Sequence, residues 1–369
     1  NIENGKKISD TTSLCEQCYM HIPATVFEKD NSIWLGKTCL QHGYTEHMIE
    51  RDADFYNNLH YNYDSEFTVN GTMIEVTDRC NLNCPHCYHE PENKTTDRPI
   101  ASILKQMSAW PEDTNSVILA GAEPTLRKDL PELIKSIKKF WRSRRPEGQE
   151  DIEVIILTNG VKLSNIEFCR QLEQAGTMSV LIGMNHKSYQ GEVVHNKQIQ
   201  GIKNCKEVGL FVYYVGYTLE THEHLPEVLE EIQSLGDAAY QYRIRAGSDI
   251  GRSPEEERLY LSDNVNTIKQ IAEDKGWEWE DIDGDDNLYH YMVKINGLNH
   301  RIIQWCDVKT IELEELRHGP WCDFVPGKPV TNFLHQIMLR DRVINERKTL
   351  LDTVPKPYQF RSIINPNAY

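Results

Sequence analysis

Thr72-Met-Ile-Glu-Val-Thr77 runs straight into Asp78-Arg-Cys80-Asn-Leu-Asn-Cys84-Pro-His-Cys87, and the reading of this stretch decides the fold. The first part is apolar and β-branched, which predicts a strand. Three cysteines spaced Cys-x3-Cys-x2-Cys follow at once. Three thiolates on one short loop suit three irons of a 4Fe–4S cube and leave the fourth iron open to another ligand. A zinc site completed by His86 or His89 is the competing reading of the same residues.

Outward from this loop the pattern repeats. Apolar runs at Thr72–Thr77, Ser116–Ala120, Ile152–Thr158, Met178–Met184, Phe211–Thr218 and Tyr240–Ile244 predict strands. Between them Ile100–Trp110, Asp129–Ser143, Asn165–Gln174, Lys197–Val208 and Leu225–Leu235 carry helical periodicity. Pro131 sits near the first turn of one helix, and Gly176, Gly209 and Gly236 stand where three others should stop. Strand and helix in alternation imply parallel strands joined by right-handed crossovers. Periodicity alone allows an open doubly wound sheet or a partial barrel. In either, sites collect at the C-terminal ends of the strands, where the cysteine loop falls.

Two further strand ends belong with that loop: Gly121-Ala122-Glu123-Pro124-Thr125 and Leu157-Thr158-Asn159-Gly160. With Cys80, Cys84 and Cys87 they resemble the radical S-adenosylmethionine (SAM) superfamily, whose second signature reads Gly-Gly-Glu-Pro; here Ala122 takes the second place. The resemblance covers residues 71–250. It implies an α/β fold, a partial (β/α)6 TIM-like barrel, and so chooses the barrel over the sheet. It implies a 4Fe–4S cluster on the three cysteines, with SAM held around Gly121, Ala122, Glu123 and Pro124. Glu123 and the Gly121 backbone would accept from the SAM amino group. Asn159, Asn185 and Thr218 are candidates for its ribose, His86 for its adenine, and Arg243 for a carboxylate or phosphate. The activity implied is reductive cleavage of SAM to a 5′-deoxyadenosyl radical that takes hydrogen from a C–H bond of a small-molecule or nucleotide-like substrate. A one-electron reductant such as flavodoxin or ferredoxin would be the partner.

Upstream, Cys15-Glu-Gln-Cys18 and Cys39-Leu-Gln-His42 form two knuckles. Thr25–Phe27 and Ser32–Leu35 between them read as short strands turning at Asp30-Asn31. A hairpin that joins the knuckles makes a closed, structural Cys3His site for zinc or a rubredoxin-like iron. About sixty residues hold little core, and a metal offsets that deficit. A ribbon of this form before such a barrel is similar to the arrangement in the archaeal tetraether-lipid synthase group. Longer members of that group carry more cysteines downstream, whereas here only Cys306 and Cys322 lie beyond residue 250.

The expected division is therefore a metal ribbon over 1–60, a radical SAM barrel over 61–250, and a mixed α+β substrate-covering region over 251–369. In the last, Leu288–Ile295 and Asn299–Trp305 flank Asn296-Gly297, a hairpin signal; Thr331–Ile344 reads as a packed apolar segment. Cys169 and Cys205 read as buried packing thiols, Cys306 and Cys322 as structural thiols near the site. Arg243 and Arg245 alternate on one strand and share a face. Asp281–Asp286 reads as a solvated turn. Lys135, Lys138, Lys139, Arg142, Arg144 and Arg145 make a basic run.

Composition sets the outer limits. Hydrophobic residues at 39% supply a core, and a net charge of −16 disfavours general nucleic-acid binding. There is no membrane-length apolar run. The polar start, Asn1–Asp10, has no initiator Met and no signal-like segment, which reads as a processed end of a cytoplasmic protein. Cysteines grouped at metal spacing suit a reducing compartment. The remaining alternatives are a radical SAM modifier of nucleic-acid bases or of a peptide, and a non-catalytic zinc-binding interaction protein.

Overall fold

In the computed structural model the described residues are 5–18, 20–59, 71–84, 87, 91, 93, 96–110, 112, 114–145, 150–219, 221–246, 259–282, 290–304, 309 and 310. His86, Cys306, Cys322 and the Thr331–Ile344 segment lie outside them.

The chain begins with four antiparallel strands paired in sequence order: β1 (Lys6–Leu14), β2 (His21–Lys29), β3 (Ser32–Cys39) and β4 (Gly43–Glu50). Asp30 and Asn31, at φ 53° and 60°, close the β2–β3 hairpin, a turn in which short polar side chains tolerate positive φ. The strands are longer than the sequence reading expected, and β1 and β4 were not foreseen. Leu14, Val26, Phe27, Ile33 and Leu35 are fully buried, so the ribbon has a small core besides its knuckles. A short helix, α1 (Ala53–Asn58), follows, with the Phe55 N–H donating to its cap Asp52 at 2.9 Å.

The barrel then runs β5 (Gly71–Thr77), α2 (Ile100–Met107), β6 (Ser116–Gly121), α3 (Leu130–Arg142), β7 (Glu153–Thr158), α4 (Ile166–Ala175), β8 (Thr177–Asn185), α5 (Lys187–Gln190), α6 (Glu192–Val208), β9 (Val212–Leu219), α7 (Leu225–Leu235), β10 (Gln241–Ala246) and α8 (Leu261–Asp274). Strands β5 to β10 are parallel and adjacent in chain order. This is the partial (β/α)6 barrel. Helices cover its outer face at helical spacing. α3 buries Leu130, Leu133, Ile134, Ile137 and Trp141, each fully buried aliphatic side chain contributing about 1.5–3 kcal/mol. The inner face holds a smaller apolar floor of Ile118, Leu181 and Tyr214, with Met73, Ile155 and Leu157 against it. α6 starts five residues before the segment expected, because Gly191 at φ 80° lets the chain turn from α5 directly into it.

The C-terminal elements extend this sheet. β11 (Trp279–Asp281), β12 (His290–Ile295) and β13 (Leu298–Ile303) continue it beyond β10, with β13 parallel to β10 and antiparallel to β12. Asn296 and Gly297, at φ 50° and 74°, form the expected hairpin turn. The ribbon is tied to this end of the barrel. The buried Glu50 carboxylate accepts from the Arg51 N–H at 2.6 Å, from the Asp52 N–H, and from both the N–H and hydroxyl of Ser262 on α8.

Candidate functional site

The cysteine loop leaves the C-terminal end of β5 and is braced at its start. Asp97 takes a bidentate pair from Arg79, at 3.0 and 2.7 Å, and a hydrogen bond from the Thr77 hydroxyl at 2.6 Å. Burial opposes the Asp97 charge, but Arg79 and Thr77 outweigh it and hold the carboxyl below its ordinary range. The Cys80 N–H donates to Asn93 Oδ1 at 2.9 Å.

The end of β6 locks onto that same backbone. Gly121 has φ 119°, and a Cβ there would lie 2.3 Å from the Thr77 carbonyl oxygen, so only glycine fits. The next two N–H groups point back at the loop: Ala122 donates to Thr77 O at 3.0 Å and Glu123 to Arg79 O at 2.9 Å. The glycine therefore serves an approach of β5 to β6 within the protein. The Glu123 carboxylate is turned inward and 1% exposed. It accepts from Thr158 Oγ1 and Asn159 N, both at 2.6 Å, and from the N–H and hydroxyl of Thr125. Burial pushes its pKa up. Pro124, also buried, opens a short 3-10 turn. Glu123 thus joins the end of β6 to the end of β7.

Asn159 carries the connection back to the cysteines. Its side-chain amide donates to Asn81 Oδ1 at 2.9 Å and lies 3.9 Å from Cys80 Sγ, while its Oδ1 caps Val161 N at 3.1 Å. Gln190 of α5 donates to Cys84 Sγ at 3.2 Å. No sequence signal singled out Gln190. A pair of stacked imidazoles, His186 and His224 at 3.8 Å between ring centroids, anchors its short helix, and His186 also meets Ser188 and Glu227. Burial, then the like charge of Cys87 and Cys80, pushes the Cys84 thiol up to about 11. Three thiols close enough to share charge, with amide donors aimed at two of the sulfurs, fit a cluster held by Cys80, Cys84 and Cys87.

Asn185 and Thr218 are register partners at the C-terminal ends of β8 and β9. Arg243 lies lower on the inner face. Its Nε donates to Gln241 Oε1 at 2.8 Å, and its guanidinium sits 3.8 Å over the Tyr214 ring.

The second constellation lies in the ribbon. Donor atoms of Cys15, Cys18, Cys39 and His42 all fall within 4.8 Å of one another. Cys15 Sγ and Cys39 Sγ stand 3.3 and 3.4 Å from His42 Nδ1, and Cys18 Sγ is 3.9 Å from Cys39 Sγ. Tetrahedral zinc at ordinary bond lengths separates two thiolates by about 3.8 Å and a thiolate from an imidazole nitrogen by about 3.5 Å. The quartet fits such an ion. Behind it, the fully buried Lys37 ammonium donates to Leu14 O at 3.1 Å and pairs with Glu16 at 3.2 Å.

Other candidates are absorbed by structure. Cys169 and Cys205 are fully buried between α4 and α6, with Cys169 Sγ 3.1 Å from Leu163 O. Much of the basic run is consumed locally. Lys138 and Arg142 pair with Asp151, Arg144 donates to Met107 O and Trp110 O, and Arg145 donates to Thr114 O and Glu150 O.

Comparison with known proteins meets this geometry at both ends. The Radical SAM superfamily profile matches residues 74–232, and the profile described as HMPTM N-terminal zinc ribbon domain matches residues 7–51. The chain carries a radical SAM domain. A zinc ribbon precedes it. Over 240 residues the chain is 31% identical to the 7,8-dihydro-6-hydroxymethylpterin dimethyltransferase of Methanocaldococcus jannaschii, covering 54% of this chain and 44% of that one. It is 27% identical over 224 residues to the GTP 3′,8-cyclase of Listeria monocytogenes, covering 57% of this chain and 63% of the other. The chain thus spans about half the length of the curated relatives it matches. Among solved structures, Streptococcus suis SuiB bound to S-adenosylmethionine aligns at 14% identity and TM-score 0.43, over 64% of this chain and 50% of SuiB. Among the described residues no helix is long and apolar enough to cross a membrane.

Proposed function

We propose that this protein is a radical SAM enzyme acting on a small heterocyclic or nucleotide-like molecule in the cytoplasm, with its reaction chamber on the inner face of β5–β10. The observation that carries the reading is the coupling of three strand ends around the cysteine loop: Gly121 packed on Thr77, Glu123 bonded to Asn159, and Asn159 reaching the Cys80 side. A 4Fe–4S cluster on Cys80, Cys84 and Cys87 would supply the electron that cleaves SAM and releases a 5′-deoxyadenosyl radical for hydrogen abstraction.

The chain's own residues do the positioning. Arg79 and Asp97 hold the loop's first turn, so the three thiols are presented on a fixed base. Glu123 accepts four protein hydrogen bonds and fixes the two strand ends between which SAM would lie. Asn185 and Thr218, side by side, offer polar partners for the ribose. The ribbon metal, zinc on Cys15, Cys18, Cys39 and His42, is structural because all its ligands come from the protein. Flavodoxin or ferredoxin would deliver the electron. Relatives named for a pterin and for GTP support the heterocyclic substrate class. The consumed basic run takes support away from the base-modifier reading.

The test is anaerobic. Reconstituted protein should hold about four irons with sulfide and one zinc, and should form 5′-deoxyadenosine from SAM with a strong reductant. Zinc in both sites, no sulfide and intact SAM would leave a metal-stabilised binding protein instead.

A further inference from the structure

Three arginines share the inner face at β10 and β13, across the sheet from the cysteine loop on β5. Arg243 and Arg245 are two apart on β10, and Arg301 on β13 is the register partner of Arg243, so all three side chains leave the same face. That face is the barrel interior. Arg243 stacks on Tyr214, part of the apolar floor, at 3.8 Å. A Cβ added to Gly216 of β9, the register partner of Arg243, would meet the Arg245 guanidinium at 3.0 Å. Glycine at that place leaves the room that the guanidinium occupies.

Arg243 is half-buried, and among the described residues its hydrogen bond goes to the neutral Gln241, not to a carboxylate. Burial, with Arg301 and Arg245 nearby, brings it down to about 10. Burial works against the Arg243 charge, and a bound anion would offset that cost. A planar guanidinium held flat on a ring, whose terminal N–H groups make no hydrogen bond to the described residues, is a ready donor pair for a carboxylate or phosphate.

We propose that Arg243, Arg245 and Arg301 form an oxyanion subsite on the chamber floor that holds a phosphate or carboxylate group of the substrate. This rests on the chamber being the reaction site proposed above. It makes the substrate class an anionic heterocycle, anchored by its charged end while the carbon to be attacked faces the β5 side. Arg243 is thereby assigned to the substrate and not to SAM.

The test uses the reconstituted full chain. Inorganic pyrophosphate and glutarate are titrated calorimetrically, each with and without saturating SAM. Wild type should bind at least one of them, more weakly as salt rises, and SAM should leave that binding in place. Arg243→Gln and Arg301→Gln should each weaken it by about tenfold or more, with Arg243→Lys in between. The better of the two probes tells phosphate from carboxylate. Binding of neither probe, binding unchanged in both Gln variants, or displacement by SAM would overturn the subsite. If Arg243→Gln does not fold, Arg301→Gln decides alone. Formation of 5′-deoxyadenosine by wild type is scored separately, so failure of the enzyme reading and failure of the subsite are distinguishable.

Discussion

The Gln190 side-chain amide donates to Cys84 Sγ at 3.2 Å from a helix 106 positions further along the chain. Hydrogen bonds to cluster sulfurs stabilise the more negative, reduced state and so raise the reduction potential. Gln190→Leu keeps the side chain's bulk and removes the donor. We expect iron content to stay at the wild-type value and the midpoint potential to fall, on the order of tens of millivolts. An anaerobic redox titration followed by electron paramagnetic resonance reads this directly. An unchanged potential would show that the amide only packs there.

Gly121 and Ala122 make opposite predictions although they are neighbours. Gly121→Ala places a Cβ 2.3 Å from the Thr77 carbonyl at a φ of 119°, so β5 and β6 must separate. We expect a loss of about 2 kcal/mol or more, with reduced iron loading because Cys80 follows three residues after Thr77. Ala122→Gly restores the family's usual residue at a position without positive φ, and should cost at most about 1 kcal/mol. Chemical denaturation and iron analysis on both variants check the pair. Equal behaviour would mean that the close approach to Thr77 is not a constraint.

Glu123 is a structural tie with a clear cost. Replacing it by Ala strands the buried donors Thr158 Oγ1 and Thr125 N and the half-buried Asn159 N. Each unsatisfied group costs about 1–3 kcal/mol, so Glu123→Ala should lose at least about 3 kcal/mol. Hydrogen exchange at Asn159 would rise in the variant. If stability and exchange stayed as in wild type, the inward carboxylate would have no holding role.

The barrel was legible because its strands carry apolar residues on both faces and read as apolar runs, while Gly176, Gly209 and Asn296-Gly297 mark the chain reversals. The cysteine spacings were legible because metal ligands tolerate little else. β1 escaped notice because its first five residues are exposed and, Ile8 apart, polar, so no buried alternation marks it before Ser13 and Leu14. β4 is mostly half-exposed, and only Ile49 and Glu50 are buried, Glu50 where it meets Ser262 of α8. The inward turn of Glu123 and the reach of Gln190 depend on strand ends meeting in space, which a single sequence does not encode locally. Arg243 was readable as one of an alternating pair; Arg301 joined it only through the parallel register of β10 and β13.

The ribbon quartet predicts a separable metal. Cys39→Ser should lose the zinc while leaving the iron of the barrel loop in place, since no ligand is shared. Structural zinc contributes on the order of 10 kcal/mol to small ribbons, so the variant's first fifty residues should become accessible to protease. The Glu50–Ser262 tie then comes under load, and α8 should exchange faster. Metal analysis with limited proteolysis tests both statements. Zinc retained at the wild-type level would remove Cys39 from the site.

His300 sets a pH dependence whose sign can be worked out. It is fully buried on β13, with its ring nitrogen Nδ1 2.8 Å from Leu298 O. Burial lowers its pKa to about 4 from an ordinary 6.5. The unfolded chain therefore takes up a proton as pH drops below 6.5, and the folded chain does not until pH nears 4. The neutral histidine's contribution is fully present above the unfolded value and is lost as pH falls through this window, by about 3 kcal/mol in all. Glu50 and Glu123 have raised pKa values through burial, and so work in the opposite direction over part of the same range. The comparison must therefore be between slopes. His300→Asn keeps a short amide donor toward Leu298 and removes the titration; it should start less stable and lose less between pH 6.5 and 4 than wild type. Denaturant midpoints across that range give both slopes, and parallel lines would mean that His300 is already protonated in the folded chain.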